Sequence, residues 1–120
     1  MNIAKKSDSR ENQFEAAELM DVLSATKKED DGPGFFFRVR TENNRLHSVM
    51  WSSSSQRESL ARYGDVVVFD LTYKTNSLKL PLAAFVGTDN HGKTVVFALA
   101  LQLDETAPTM QWLFEQFKDL

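Results

Sequence analysis

The stretch GDVVVFDLTYKTN, from Gly64 to Asn76, restricts the fold of this chain more than any other. Val66 to Phe69 place apolar side chains on both faces of an extended segment, so the expected strand is central and covered on both sides. TVVFALALQL, beginning at Thr94, reads the same way. Between them runs LKLPLAAFVGT, entered after a short turn and left through the hairpin loop TDNHGK. Three strands joined by short loops make an antiparallel meander. Pro81 has no N–H to donate, so it belongs at an edge or a bulge. DETAPTMQWLFEQFKDL then reads as a helix. Met110, Leu113, Phe114 and Phe117 fall at i, i+3, i+4 and i+7 and form its core stripe. Asp104 or Thr106 can cap it, and Pro108 is tolerated in its first turn. One helix cannot bury both faces of such a sheet. The second face requires the N-terminal half or polypeptide beyond these 120 residues.

The N-terminal half offers suitable material. Phe14, Ala17, Leu19, Met20, Val22 and Leu23 recur at helical spacing, and the pattern dies in KKEDDGPG. FFFRVRT alternates, with Phe35, Phe37 and Val39 on one face and Phe36, Arg38 and Arg40 on the other. NNR is a turn, and LHSVMW completes a hairpin. Ser55 with Glu58 predicts a capping box for a short helix ending near Tyr63 and Gly64. The expected organisation is a disordered tail over 1–13, a helix/hairpin/helix segment over 14–63 and a separate unit over 64–120.

Charge and composition exclude several classes. Residues 1–31 hold five Lys or Arg against eight Asp or Glu, and the remainder is balanced at nine of each. The basic footprint of tight non-specific nucleic-acid binding is missing from the total, although a local groove can still be basic. The chain has no cysteine, which removes disulfides and zinc-thiolate sites. It has no apolar run of membrane-spanning length and no secretory signal at its start.

Asp70 is the chemical question. A carboxylate at the C-terminal end of a strand can hold Mg²⁺, which prefers hard oxygen ligands. A two-metal centre for phosphodiester chemistry needs two or three such carboxylates converging. The alternative is that Asp70 caps a turn by accepting from the backbone N–H of Thr72 or Tyr73. Asp104 is the nearest candidate companion. It lies two strand spacings away, roughly 9–10 Å, which favours a helix-capping role. Glu105 reaches inward only weakly, and Asp89 falls at the opposite rim. His47 and His91 read as surface or turn residues, and Trp51 and Trp112 as core or interface. FFFRVR fits a half-buried strand or, less well, an aromatic-basic nucleic-acid surface. Lys74 and Lys79 flank the Asp70 turn and are placed to meet phosphate or solvent.

GDVVVFDLTYKTN, LPLAAFVGTDNHGKTVVFALALQLDET and WLFEQF together resemble the transposase domain of Mutator-like elements. They are especially similar to the plant far-red-impaired-response group of domesticated transposases. GPGFFFRVR and RLHSVMWSSSSQRESLARYG resemble the segment preceding that domain, so the likeness covers roughly residues 15–120. It implies an α+β fold, an incomplete RNase H-like core in which the meander and the last helix follow a helix and a β-hairpin. It also implies that Asp70 matches the first of three acidic residues that bind Mg²⁺ or Mn²⁺ for DNA strand cleavage and joining. The second and third acids would lie beyond Leu120, so this chain alone is expected to be inactive and to hold no metal stably. Family members usually carry Thr where this chain has Leu71. The expected partners are DNA and, through an open sheet edge, further copies of the chain, with no membrane; the expected location is the nucleus. The rival expectations are a non-catalytic relative acting in transcription regulation or protein association, and a decayed gene product.

Overall fold

A computed structural model describes residues 20–30, 34–43, 45–72 and 81–120 of the chain. Residues 20–29 are helical (α1). There follow strands β1 (Phe36–Glu42) and β2 (Arg45–Ser52), helix α2 (Ser54–Tyr63), strands β3 (Val68–Thr72), β4 (Leu82–Thr88) and β5 (Thr94–Gln102), and helix α3 (Ala107–Lys118). The expected order of helix, hairpin, helix, meander and helix is therefore present. The expected helical positions before Met20, the turn after Thr72, and Lys74 and Lys79 lie outside the described residues. None of the described helices is long and apolar enough to cross a membrane.

All five strands join one antiparallel sheet in the order β1-β2-β5-β4-β3. The hairpin is thus stitched to the meander through β2 and β5, where Val49 pairs with Leu101 and Met50 with Ala100. Cross-strand partners share a face, so each row of pairs shows what covers it. Met50, Ala100, Ala83 and Leu71 form one row. That face carries the larger core, with Phe36, Phe85, Phe97, Ala98 and Leu113 buried in it. Leu60 and Tyr63 of α2 and Met110, Trp112 and Phe117 of α3 pack against it. Phe117 stacks on Phe85 with ring centroids 4.1 Å apart. The opposite face has the smaller core of Leu23, Phe35, Val49 and Leu101, with Met20, Phe37, Val39, Trp51 and Leu82 packed around it. Leu23 brings α1 onto this face, so the N-terminal half does supply the second cover.

That cover is partial, and it corrects the expectation for VVVFD. Among the described residues β3 is an edge strand and is not central. Val67, Phe69 and Leu71 pack into the larger core, but Val66 and Val68 are 71% and 53% exposed. The run is apolar on both faces, yet Met20 and Leu23 of α1 pack with side chains of β1, β2, β4 and β5, and no β3 residue belongs to that cluster. Asp70 is also not at the strand's C-terminal end. It is the third residue of β3 and pairs with Ala84; Tyr73, one of the two backbone donors expected for a turn cap, lies outside the described residues.

Two further corrections concern helices. The capping box of α2 is Ser53 with Gln56: Gln56 N–H donates to Ser53 Oγ at 3.1 Å, and Ser53 N–H to Gln56 Oε1 at 3.0 Å. Four consecutive serines allow several registers, and tertiary partners choose among them. Ser52 stays in β2 and donates to Phe97 O, and Ser54 is held by the Asp30 carboxylate. In α3, Leu113 is fully buried as expected, but Phe114 is 42% exposed and Thr109 is buried in its place. Phe114 still meets Phe69 edge-on at 5.1 Å.

Two irregularities shape the sheet. Arg40 pairs with Ser48 and Thr41 with Leu46, which leaves His47 as an extra residue in β2. Phe85 pairs with Ala98 and Val86 with Val96, which leaves Phe97 extra in β5. Such bulges re-aim side chains. The Phe97 ring turns over Gly87, where a Cβ would come within 2.5 Å of it, so only glycine fits there. In the β4–β5 loop, Gly92 takes a φ of +77° while the Asp89 carboxylate accepts from the N–H groups of His91 and Lys93.

Candidate functional site

The row through Asp70 continues across the sheet to Ala84, Leu99, Trp51 and Phe37. Its face is the one opposite α3. Asp70 itself is exposed, Ala84 and Leu99 are half-buried, and the neighbouring row of Val68, Val86 and Val96 remains at least partly open. β3, the edge strand among the described residues, thus presents a carboxylate on an accessible sheet face.

The other acidic candidates do not converge on it. β4 lies between β3 and β5, so Asp104 is two strand spacings away, and it follows Leu99, the residue in Asp70's row, by five positions. That adds more than about 10 Å along the strand direction. Asp89 sits in the β4–β5 loop, where its two backbone hydrogen bonds, from Lys93 and then His91, hold its carboxyl below the usual value. Glu105 is exposed beside Asp104. Among the described residues no three His, Cys, Asp or Glu side chains are grouped so as to hold a metal ion. Asp70 supplies one carboxylate where a two-metal centre needs two or three, so the described residues do not by themselves fit a divalent metal.

A second polar cluster lies at the far end of β2 and β5. Asp104 Oδ1 accepts from the Thr106 N–H at 3.1 Å, the Thr106 hydroxyl at 2.8 Å and the Thr109 hydroxyl at 2.7 Å. Its Oδ2 meets His47 Nε2 at 3.1 Å. His47 Nδ1 lies 2.7 Å from Ser48 Oγ. These bonds, that from Thr109 above all, hold the Asp104 carboxyl far below the usual carboxylate range. The helix-organising role expected of Asp104 is borne out in function, although the N-cap position itself is Thr106. His47 corrects its expectation: it is buried, with 3% of its surface exposed, whereas His91 lies in the exposed turn. Serine, imidazole and carboxylate are in sequence here, but Ser48 is fully buried and no substrate reaches it. The cluster ties the β5–α3 corner to β2. Sequence reasoning missed it because a bulge breaks the alternation by which His47 could have been placed.

Comparison with known proteins places this architecture. The family model of the RNaseH-like domain of zinc finger SWIM domain-containing protein 1/3 matches residues 24–120. Among curated proteins of Arabidopsis thaliana, Protein FAR1-RELATED SEQUENCE 5 is 35% identical over 85 residues, which is 70% of this chain and 11% of that protein. Protein FAR-RED IMPAIRED RESPONSE 1 is 35% identical over 98 residues, 81% of this chain and 12% of that protein. Protein FAR1-RELATED SEQUENCE 7 is 33% identical over 98 residues, 81% and 13% respectively. The chain therefore spans little more than a tenth of the length of these relatives. No solved structure matches it. A sheet of this order, flanked by α2 and α3 and carrying a matching RNase H-like domain over 97 of its residues, belongs to the family of Mutator-derived, FAR1-like domesticated transposases.

Proposed function

We propose that the chain is the opening part of a Mutator-like DNA transposase domain, and that Asp70 occupies the position of the first metal-binding carboxylate of its strand-cleavage centre. The observation that carries this reading is the setting of Asp70. It is an exposed acid in the middle of an edge strand, a position that aspartate disfavours on propensity grounds. The remaining acids and the Mg²⁺ or Mn²⁺ they hold would come with polypeptide outside these 120 residues. The outer edge of β3, which has no neighbour among the described residues, is where such polypeptide would pair; in the isolated chain it is a surface for self-association.

The test compares two proteins on supercoiled DNA with Mn²⁺. A protein extended to include the rest of the domain is expected to nick the DNA and to lose that activity in Asp70→Asn. The 120-residue chain is expected to leave the DNA intact. Nicking by the extended protein that survives Asp70→Asn defeats the assignment. A second reading is favoured by the name of one relative, which refers to an impaired far-red response. In it the chain is part of a nuclear, domesticated and non-catalytic transposase relative that acts in transcription regulation or protein association. An extended protein that enters the nucleus and binds DNA without nicking it supports that reading instead.

A further inference from the structure

β1 forms the other outer side of the sheet, and no described residue pairs with its outer edge. Side chains alternate along a strand, so Phe36, Arg38 and Arg40 share one face. The Arg38 guanidinium lies 4.2 Å from the centre of the Phe36 ring. Helix α2 brings the Arg57 guanidinium to 5.6 Å from the same ring, and Arg57 Nη1 donates to Gly34 O at 3.1 Å. Phe36 is buried, so the ring that carries both guanidiniums is a fixed platform. Arg40 Nη1 is buried without an acceptor among the described residues. The ion pair found among those residues is that of His47 and Asp104, so none of the three arginines is matched to a described carboxylate.

We propose that the β1 edge takes an extended acidic peptide as an added strand, with carboxylates at alternate positions against Arg38 and Arg40. An incoming strand bonds to the outer backbone groups of β1, displacing the 3.2 Å bond that Arg38 Nη1 donates to Phe37 O and freeing that guanidinium for a carboxylate. Its alternate side chains repeat on one face at about 6.6 Å, the same repeat that separates Arg38 from Arg40. The intervening residue falls on the opposite face, beside half-buried Phe37 and Val39, where an apolar side chain is favoured. The recognised pattern is acid–apolar–acid. Guanidinium forks suit carboxylates, which they bind through two parallel bonds. The chain's net charge of -3 opposes an acidic ligand at long range, so binding depends on these local contacts and weakens with salt. The alternative is that Arg38 and Arg40 only guard an edge against aggregation, which requires no ligand. The proposal is independent of the Asp70 reading, which concerns the opposite edge.

The test uses the 120-residue chain and a fluorescein-labelled, end-capped nonapeptide of alternating Glu and Val, followed by anisotropy. Saturable binding is expected, and it weakens by about tenfold or more in the double variant Arg38→Glu/Arg40→Glu, as two lost ion pairs imply. That variant is expected to bind the corresponding Lys–Val peptide instead. N-methylation of the peptide amides that face β1 is expected to abolish binding. Circular dichroism checks that the variant folds; Arg38→Gln/Arg40→Gln replaces it if it does not. Absence of saturable binding overturns the proposal, as does binding indifferent to the arginines. Binding that survives N-methylation shows charge attraction without an added strand and overturns it too. So does equal, arginine-dependent binding of a single-stranded oligonucleotide of the same charge, which marks a phosphate site.

Discussion

Asp104 and Asp70 both belong to the β3-β4-β5 half of the sheet, and the chain treats them in opposite ways. Asp104 receives hydrogen bonds from two threonine hydroxyls, a backbone N–H and a buried imidazole. Asp70 stands on an open face of an edge strand, with Ala84 beside it. A carboxylate saturated by its own chain fixes a corner and has no valence left for chemistry. A carboxylate left open contributes nothing to the fold and remains available to a metal, a ligand or further polypeptide. The contrast separates an acid that the fold uses from one that the described fold leaves open, without reference to any relative, and it can be broken by measurement.

The largest effect is expected at the closed corner. Asp104→Ala leaves buried His47 and Thr109 without their acceptor, and should cost about 2 kcal/mol, discounted because the carboxylate side is 39% exposed. Urea unfolding followed by fluorescence of Trp51 and Trp112 measures it. A cost near zero would place Asp104 in the same class as Asp70 and dissolve the comparison.

A smaller effect sharpens it. The Thr109 hydroxyl is the main reason the Asp104 carboxyl lies far below its usual range, with Thr106 and His47 adding to it against the opposing effect of burial. The folded-state value is the depressed one, so the ionised form stabilises the fold. That stabilisation is complete above the unfolded carboxyl value of about 3.9 and is lost as pH falls below it. Thr109→Val keeps the shape and removes the donor, and should cost about 1 kcal/mol at neutral pH. It should also flatten the loss of stability between pH 4 and lower values, on the order of one carboxylate's share. Urea unfolding at a series of pH values, with an NMR titration of the Asp104 carboxyl carbon, checks both. An unchanged titration would remove Thr109 from the account.

The same contrast shows what sequence carried and what it did not. Alternation in FFFRVRT and LHSVMW and the helical stripe of Met110, Leu113 and Phe117 are local signals, and each element they predict is present. The pairing of β2 with β5 joins strands separated by more than forty residues, and no local pattern marks it. VVVFD misleads because two-sided apolarity reports a need for cover and does not say whether that cover lies within the described residues. The bulges at His47 and Phe97 break the alternation on which orientation was inferred, and they hide the corner built around His47. Asp70 was legible as a chemical oddity because a charge in an apolar run has no structural reason to be there; its place in mid-strand was not, because strand ends are set by pairing and not by the composition of VVVFD.

The smallest effect is the most diagnostic. Asp70→Asn should change stability by less than about 0.5 kcal/mol, since the side chain is exposed and lies away from the core. Asp70→Thr should go further and stabilise the chain by a few tenths of a kcal/mol up to about 1, because a β-branched residue suits a half-covered strand better than a carboxylate does. Both are read from urea midpoints beside the wild-type chain. A gain in Asp70→Thr means that the acid is carried at a cost to folding, the usual mark of a residue kept for function. A loss of more than about 1 kcal/mol in either variant exceeds what an exposed surface position sustains. It would show that Asp70 has a structural partner of its own, and the distinction between the two carboxylates would fail at the residue on which the functional reading depends.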